Sequence, residues 1–408
     1  MSTQRTFVIV GASLAGAKAA EALRQEGFDG RVVLVGEEAD PPYERPSLSK
    51  GYLRGGVGRE KLSVHDERFY AAQGIELRTS TRVVAIEPAA GQVILDDGEP
   101  LLYDRLLLAT GAVPRRLPIP GSDLPGVHAL RTLGDAESLR QAITPASRVV
   151  VVGAGWIGSE VAASARQIGA EVVLIERGNL PLERVLGAEI GAVYRDLHLD
   201  HGVELLPGTG VEAFAGARSV EEVRTSTGRR LACDLVVVGV GAAPRVELAE
   251  AAGLTLHDGI AVDEWLETNV AGIFAAGDVA AAWHPFYRAR VRVEHWANAL
   301  NQGPAAARNM LGGGVPYERL PYFFSDQYDL GMEYTGHAPA WDEVVFRGDP
   351  AKREFIAFWM HDGRVVAGMN ANVWDVTGPI GELIRRRVQI DAARLADPDV
   401  ALEELAKA

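Results

Sequence analysis

Two stretches decide the fold: Thr6-Phe7-Val8-Ile9-Val10-Gly11-Ala12-Ser13-Leu14-Ala15-Gly16 and Val149-Val150-Val151-Val152-Gly153-Ala154-Gly155-Trp156-Ile157-Gly158. Each is an apolar, strand-like run that breaks into a glycine-rich turn, followed by a stretch of helical character, Ala17 to Glu26 and Ser159 to Ile168. A tight strand-to-helix turn lets backbone N–H groups and the positive end of the helix face a pyrophosphate, and side chains there hold the phosphate off. A second apolar run then closes on an acid: Arg31 to Val35 leads to Glu37, and Glu171 to Ile175 leads to Glu176. These acids lie 26 and 23 residues after the first glycine, close to the roughly 20 of a dinucleotide-binding βαβ unit. Gly11 and Gly153 stand 142 residues apart, a domain-sized internal repeat. In the first copy Ser13 replaces the middle glycine, either as a phosphate hydrogen-bonder or as a tolerated small residue.

Outward from these units, the 408 residues are 47% hydrophobic and 24% charged, the composition of a globular protein of two or three domains. Glycine, 45 residues, exceeds the usual level of roughly 7%. A net charge of −14 argues against a general attraction to nucleic acid or anionic lipid. One cysteine, Cys233, excludes an intramolecular disulfide, a CxxC pair and a cysteine-rich metal site, so redox chemistry requires an organic cofactor. The start, MSTQRTFVIVG, has no secretory pattern and no segment approaches a spanning length, so a cytoplasmic protein without membrane contact is expected.

Arg82 to Ile86, Gln92 to Leu95 and Leu106 to Leu108 read as strands joined by turns in a meander. Leu106–Leu108 ends at Ala109-Thr110-Gly111, as Leu235–Val238 ends at Gly239-Val240-Gly241. After a linker near Gly312–Pro316 the pattern changes to short aromatic strands and a polar helical tail, a third domain. His198 and His201 have a metal-compatible i, i+3 spacing but no third ligand, and read as solvated helix residues.

The two glycine units, the Ala109-Thr110-Gly111 segment and the run Thr268-Asn269-Val270-Ala271-Gly272-Ile273-Phe274-Ala275-Ala276-Gly277-Asp278 together resemble the flavoprotein disulfide reductase fold. Three further runs, Pro42–Lys50, Val293–Ala299 and Tyr322–Tyr328, resemble the ferredoxin reductases of cytochrome P450 and ring-hydroxylating dioxygenase systems. Ser47 stands where that family often has a second proline, and Phe324 where it often has tryptophan. The fold implied is α/β: two Rossmann-like dinucleotide-binding domains and a C-terminal α+β interface domain. The expected limits are 1–113 with 244–318 for FAD, 114–243 for NAD and 319–408 for the C-terminal domain.

The resemblance implies that Gly11, Ser13, Leu14, Ala15 and Gly16 hold the FAD pyrophosphate and Glu37 the adenosine ribose. Ala109, Thr110, Gly111, Gly277, Asp278, Arg45, Lys50, Glu294, His295 and Trp296 complete the flavin site. Asp278, before an apolar run, also reads as a helix N-cap. Gly153, Gly155, Ile157, Gly158 and Gly241 would hold NAD, with Glu176 accepting from a ribose 2′-hydroxyl and repelling a 2′-phosphate, so NADH is preferred. Lys50 and Glu160 are expected as an ion pair beside the flavin and are the candidate catalytic groups. The alternation Arg288, Arg290, Arg292 predicts one charged face for an acidic [2Fe–2S] ferredoxin, and Arg385-Arg386-Arg387 a second patch. The implied activity is NADH:ferredoxin reduction, by a monomer or homodimer. Rubredoxin reduction, an NADH oxidase of the apoptosis-inducing-factor kind and a slow redox-sensing module remain alternatives.

Overall fold

Thr6–Val10 is apolar on both faces, and such a strand belongs in the middle of a parallel sheet. The sheet runs Ile273–Ala275, Arg105–Leu108, Thr6–Val10, Arg31–Val35, Ile75–Arg78, every neighbour parallel. The chain leaves the central strand on one side and returns on the other, so the crevice of an open α/β sheet falls between Thr6–Val10 and Arg105–Leu108. The computed structural model describes residues 4–406, apart from the Glu67 side chain. Residues 1–3 and 407–408, the ends of the expected first and last domains, lie outside the described residues.

This sheet belongs to the first of two compact units, made of the residues up to 45, 59–113 and 242–319. Its first helix, Leu14–Gln25, starts inside the glycine motif, three residues before the expected Ala17, so that Leu14, Ala15 and Gly16 form its first turn. It lies against the helix Trp296–Met310, where a Cβ on Gly303 would stand 2.2 Å from the Ala15 carbonyl oxygen. Only glycine permits that approach. The meander is Val83–Glu87, Gln92–Leu95 and Pro100–Leu102, whereas Leu106–Leu108, expected as its third strand, lies in the parallel sheet, where its apolar residues are buried between two neighbours.

The second unit is made of 46–58, 114–241 and the residues from 320 onward. Segment 46–58, expected within the first domain, packs here. The parallel sheet repeats the first: Glu204–Leu206, Glu171–Ile175, Arg148–Val152, Leu235–Val238, Val127–His128. Its glycine-loop helix is Trp156–Ile168. A second meander, Val211–Ala215, Glu222–Thr225 and Arg230–Ala232, extends the repeat beyond its sequence signature.

The C-terminal part of this unit is a five-stranded antiparallel sheet ordered Tyr322–Gln327, Leu330–Gly336, Arg364–Ala371, Glu354–His361, Glu343–Asp349. Phe355, Trp359 and Met369 of one face bury against Leu186, Ile190 and Tyr194 of the helical segment Glu183–Asp200, which kinks at Gly187 (φ 86°). The tail is not simply polar: Leu395, Leu402 and Leu405 are buried.

Candidate functional site

In the first unit the expected cofactor residues gather at the carboxyl ends of the parallel strands. Gly11 has φ +118°, and a Cβ there would meet the Ala109 carbonyl oxygen at 2.1 Å; on Gly16 it would meet the Gly11 oxygen at 2.0 Å. Ser13 is the N-cap residue of the helix, but its side chain makes no capping hydrogen bond. The turn Gly277–Val279 closes the same region. Gly277 N–H donates to Gln302 Oε1 at 2.9 Å, and a Cβ on Gly277 would lie 3.2 Å from Ala15 Cβ. Asp278 is 9% exposed and precedes the strand Ala280–His284, so the helix N-cap reading fails.

Arg45 is enclosed: Nη2 lies 2.7 Å from Glu38 Oε1, Nη1 donates to the Tyr43 hydroxyl at 2.9 Å, and Asp278 adds attraction. Glu37 forms an ion pair with Arg245, whose backbone N–H donates to Gly111 and whose carbonyl accepts from Thr110 Oγ1. His295 is the N-cap residue of the helix that Trp296 begins. Burial pushes its imidazole down to about 4, against the opposing pull of Asp278.

Of the arginine alternation, Arg288 and Arg290 are exposed and Arg292 is drawn inward. The strand covers only Ala289–Val291, and Arg288 turns left-handed at φ 52°. Arg290 Nη1 donates to the carbonyls of Val262 and Ala281. Arg292 is committed to Asp258, Glu294 and the Asp278 carbonyl, with its side chain 13% exposed. Nearby carboxylates take the charge of Arg292, while Arg290 bonds carbonyls and keeps an exposed side chain. In the second unit, Arg386 of the other candidate patch pairs with Glu382.

In the second unit Gly153 has φ +97°, with its added Cβ 2.5 Å from the Gly239 oxygen; on Gly158 a Cβ would stand 1.9 Å from the Gly153 oxygen. Over Gly155 the nearest atom is 4.0 Å away, open space above a helix N-terminus with no side-chain cap. Ile157 is 42% exposed beside it. Glu176 accepts from the N–H of Ala154 at 2.7 Å and of Gly178 at 2.8 Å. Gly241 has φ +100°, and its carbonyl accepts from the backbone N–H of Arg115 at 2.9 Å.

Lys50 Nζ lies 2.7 Å from Glu160 Oε2, and both residues are buried. Ser49 Oγ donates to the same oxygen at 2.5 Å and Ser325 Oγ to the other at 2.7 Å. The Phe324 ring centroid is 5.7 Å from Lys50 Nζ, within reach of a cation–π attraction. Ser49 and Ser325 were absent from the expected site, although both sit inside runs that carried the resemblance. Nothing local marks a serine as facing a carboxylate more than a hundred residues away.

His198 is not solvated: it is fully buried, with Nε2 3.1 Å from Gln327 Oε1, and burial pushes it down to about 4. His201 stacks on Tyr328 at 3.7 Å. Among the described residues no group of three or more His, Cys, Asp or Glu is placed to hold a metal, and no helix is long and apolar enough to cross a membrane. Cys233 is buried, which raises its thiol to about 11.

A family model described as pyridine nucleotide-disulphide oxidoreductase matches residues 5–303, and one described as reductase C-terminal matches 322–406. The chain belongs to the pyridine nucleotide-disulphide oxidoreductase family. It is 42% identical to the ferredoxin–NAD(+) reductase component of the anthranilate 1,2-dioxygenase system of Burkholderia cepacia, over 97% of this chain and 98% of that protein. It is 38% identical to putidaredoxin reductase of Pseudomonas putida, over 99% and 97%. Among solved structures it matches the covalent putidaredoxin reductase–putidaredoxin complex with TM-score 0.95, 38% identity and 99% of each chain covered. The ferredoxin reductase for the CYP199A2 system from Rhodopseudomonas palustris matches with TM-score 0.95 and 37% identity, over 98% of this chain and 99% of that one. The α/β architecture expected from the glycine units, with its C-terminal domain, is that of this family.

Proposed function

We propose that this chain is an FAD-dependent NADH:ferredoxin reductase, delivering electrons to a [2Fe–2S] ferredoxin that serves a cytochrome P450 or a ring-hydroxylating dioxygenase. One observation carries the reading. In a family described by disulphide chemistry, this chain has a single thiol, buried in the second unit, while the Pro46–Lys50 turn offers a serine and a lysine bound to a carboxylate. Electrons therefore have no internal disulfide to reduce and must leave to an external acceptor. The reductases named above support a ferredoxin as that acceptor.

The residues present fit two dinucleotides, since both glycine turns are cradles that a Cβ would fill. We assign residues 1–113 with 244–318 to FAD, 114–243 to NAD and 319–408 to the C-terminal domain. Gly11, Ser13, Leu14, Ala15 and Gly16 would offer backbone donors to the FAD pyrophosphate, Glu37 would take the ribose, and Ala109–Gly111 with Gly277 and Asp278 would line the rest. Arg45, Glu294, His295 and Trp296 would bound the flavin, with Lys50 toward its reactive face.

Gly153, Gly155, Ile157, Gly158 and Gly241 would bind NADH. Glu176, already fixed to its own loop, presents a carboxylate that repels a 2′-phosphate. When bound, FAD supplies the conversion of a two-electron donor into single-electron delivery. Lys50 and Glu160 orient the reactants and hold a balanced charge there, and no side-chain nucleophile is needed. Arg288, with Arg290 at its base, and the Arg385–Arg387 turn are the cations we assign to an acidic partner. A cytoplasmic location accords with this role.

The test is cytochrome c reduction by the purified yellow protein, with and without an added [2Fe–2S] ferredoxin, using NADH and then NADPH. A rate that depends on ferredoxin and prefers NADH is expected. Equal rates without ferredoxin across several partners would overturn the assignment.

A further inference from the structure

The Glu160 carboxylate is the end of a longer hydrogen-bonded run within the second unit. Ser325 Oγ donates to Oε1 at 2.7 Å, Gln327 Nε2 donates to Ser325 Oγ at 3.4 Å, and His198 Nε2 meets Gln327 Oε1 at 3.1 Å. The Tyr328 hydroxyl closes it, 3.4 Å from His198 Nδ1. Glu160, Ser325, Gln327 and His198 are 4%, 1%, 1% and 0% exposed.

The direction of every donor is forced. An ionised carboxylate accepts only, so the Ser325 proton points at Glu160 in a charge-assisted bond. The serine lone pairs then face Gln327, whose NH2 must turn to them and whose carbonyl must turn to His198. That carbonyl requires a proton on His198 Nε2, leaving Nδ1 to accept from Tyr328. Burial, which keeps the imidazole neutral near pH 7, agrees with a ring carrying that one proton. Aligned bonds polarise one another in a low-dielectric interior.

On the other carboxylate oxygen sit Lys50 and Ser49, so the plane of the group depends on Ser325 alone at Oε1. A leucine in place of His198 would fill space among Tyr194 and Leu197 without the cost of desolvating a ring. The polar run gives the histidine a task that packing does not.

We propose that His198 is a positioning residue that, through Gln327 and Ser325, fixes the Glu160 carboxylate against Lys50 and thereby governs the charge presented to bound flavin and nicotinamide. This deepens, and rests on, the reductase reading above. The other ionisable groups around the run are Asp326, Arg54, Glu333 and Tyr194 at the Glu160 end, and His201, Asp329 and Arg166 at the Tyr328 end.

The experiment compares Ser325→Ala, Ser325→Thr, His198→Phe and the Ser325→Ala/His198→Phe double variant as FAD-loaded proteins. It reads the flavin absorbance spectrum, its shift on titration with NAD+, and the rate of flavin bleaching by NADH. Ser325→Ala and His198→Phe are each expected to shift the spectrum alike and slow bleaching about tenfold, the double no more than the slower single, with NADH KM little changed. Ser325→Thr restores both readouts. Wild-type spectra and rates in either single variant overturn the proposal, as does a double variant whose loss is the product of the two. If His198→Phe does not fold, Gln327→Met breaks the same run and carries the same criteria. A wild-type protein that NADH fails to bleach would defeat the reductase reading, while the spectra without NADH still report whether the run acts as a unit.

Discussion

At the end of the second strand of each parallel sheet stands an acid, and the two are held differently. Glu37 reaches outward to pair with Arg245, a residue more than two hundred positions along the chain. Glu176 turns inward and accepts from Ala154 and Gly178, the backbone of its own loop. The helices differ in the same sense. Leu14–Gln25 is held through small residues, with Gly303 against Ala15, whereas Trp156–Ile168 is held through a buried carboxylate with three donors. One backbone plan with equally close glycine turns thus has two ways of fastening the helix that follows: steric closeness in the first unit, charge and hydrogen bonding in the second.

The comparison breaks first at the glycines. Gly16→Ala and Gly158→Ala place a Cβ against backbone oxygen at 2.0 and 1.9 Å, and each is expected to cost about 4 kcal/mol or prevent folding. Thermal unfolding with FAD content measures this, and near-wild-type melting in either variant would mean that the loops yield. Acid titration is the next lever. His295 in the first unit and His198 in the second are both held down to about 4 by burial, below the unfolded value of about 6.5. The unfolded chain therefore takes up protons first, so stability is full above about pH 6.5 and declines toward about pH 4, on the order of 3 kcal/mol per imidazole. Urea midpoints across that window, for wild type and for each histidine replaced by glutamine, should flatten by one share in either variant.

Glu176→Ala sharpens the contrast between the acids. Losing both the loop contacts and the proposed ribose acceptor should raise NADH KM about tenfold and narrow the preference over NADPH, while Glu37→Ala should leave that preference as it was. Steady-state kinetics with both nucleotides decides it. The smallest effect is expected at Gly155→Ala, where the space is open: melting within about 0.5 kcal/mol of wild type and a few-fold rise in NADH KM. A large fall in stability there would show that the second loop is as tightly closed as the first.

The glycine units were legible because the signal is local: strand, turn, helix and acid follow one another, and the turn geometry demands its residue types within a few positions. The two parallel sheets followed from that. What local pattern did not carry was the choice of internal partners. An alternation of arginines looks alike whether every member faces solvent or one, Arg292, turns to the carboxylates of Asp258 and Glu294. His198 lies in the last turn of a helix whose buried face is set by a sheet more than a hundred residues later, so its spacing to His201 said nothing of its burial. Glu160 was found through its resemblance, but its serines come from segments joined only by folding.

The solitary thiol has a practical side. Cys233 is 2% exposed and its proton is held to about 11, so the reactive thiolate is scarce at neutral pH. Toward thiol reagents the folded molecule is therefore expected to behave as though it contained no cysteine. A single cysteine introduced on its surface would react alone, offering one addressable point for a dye, a spin label or a crosslink to an electron-transfer partner, with no native residue to remove first.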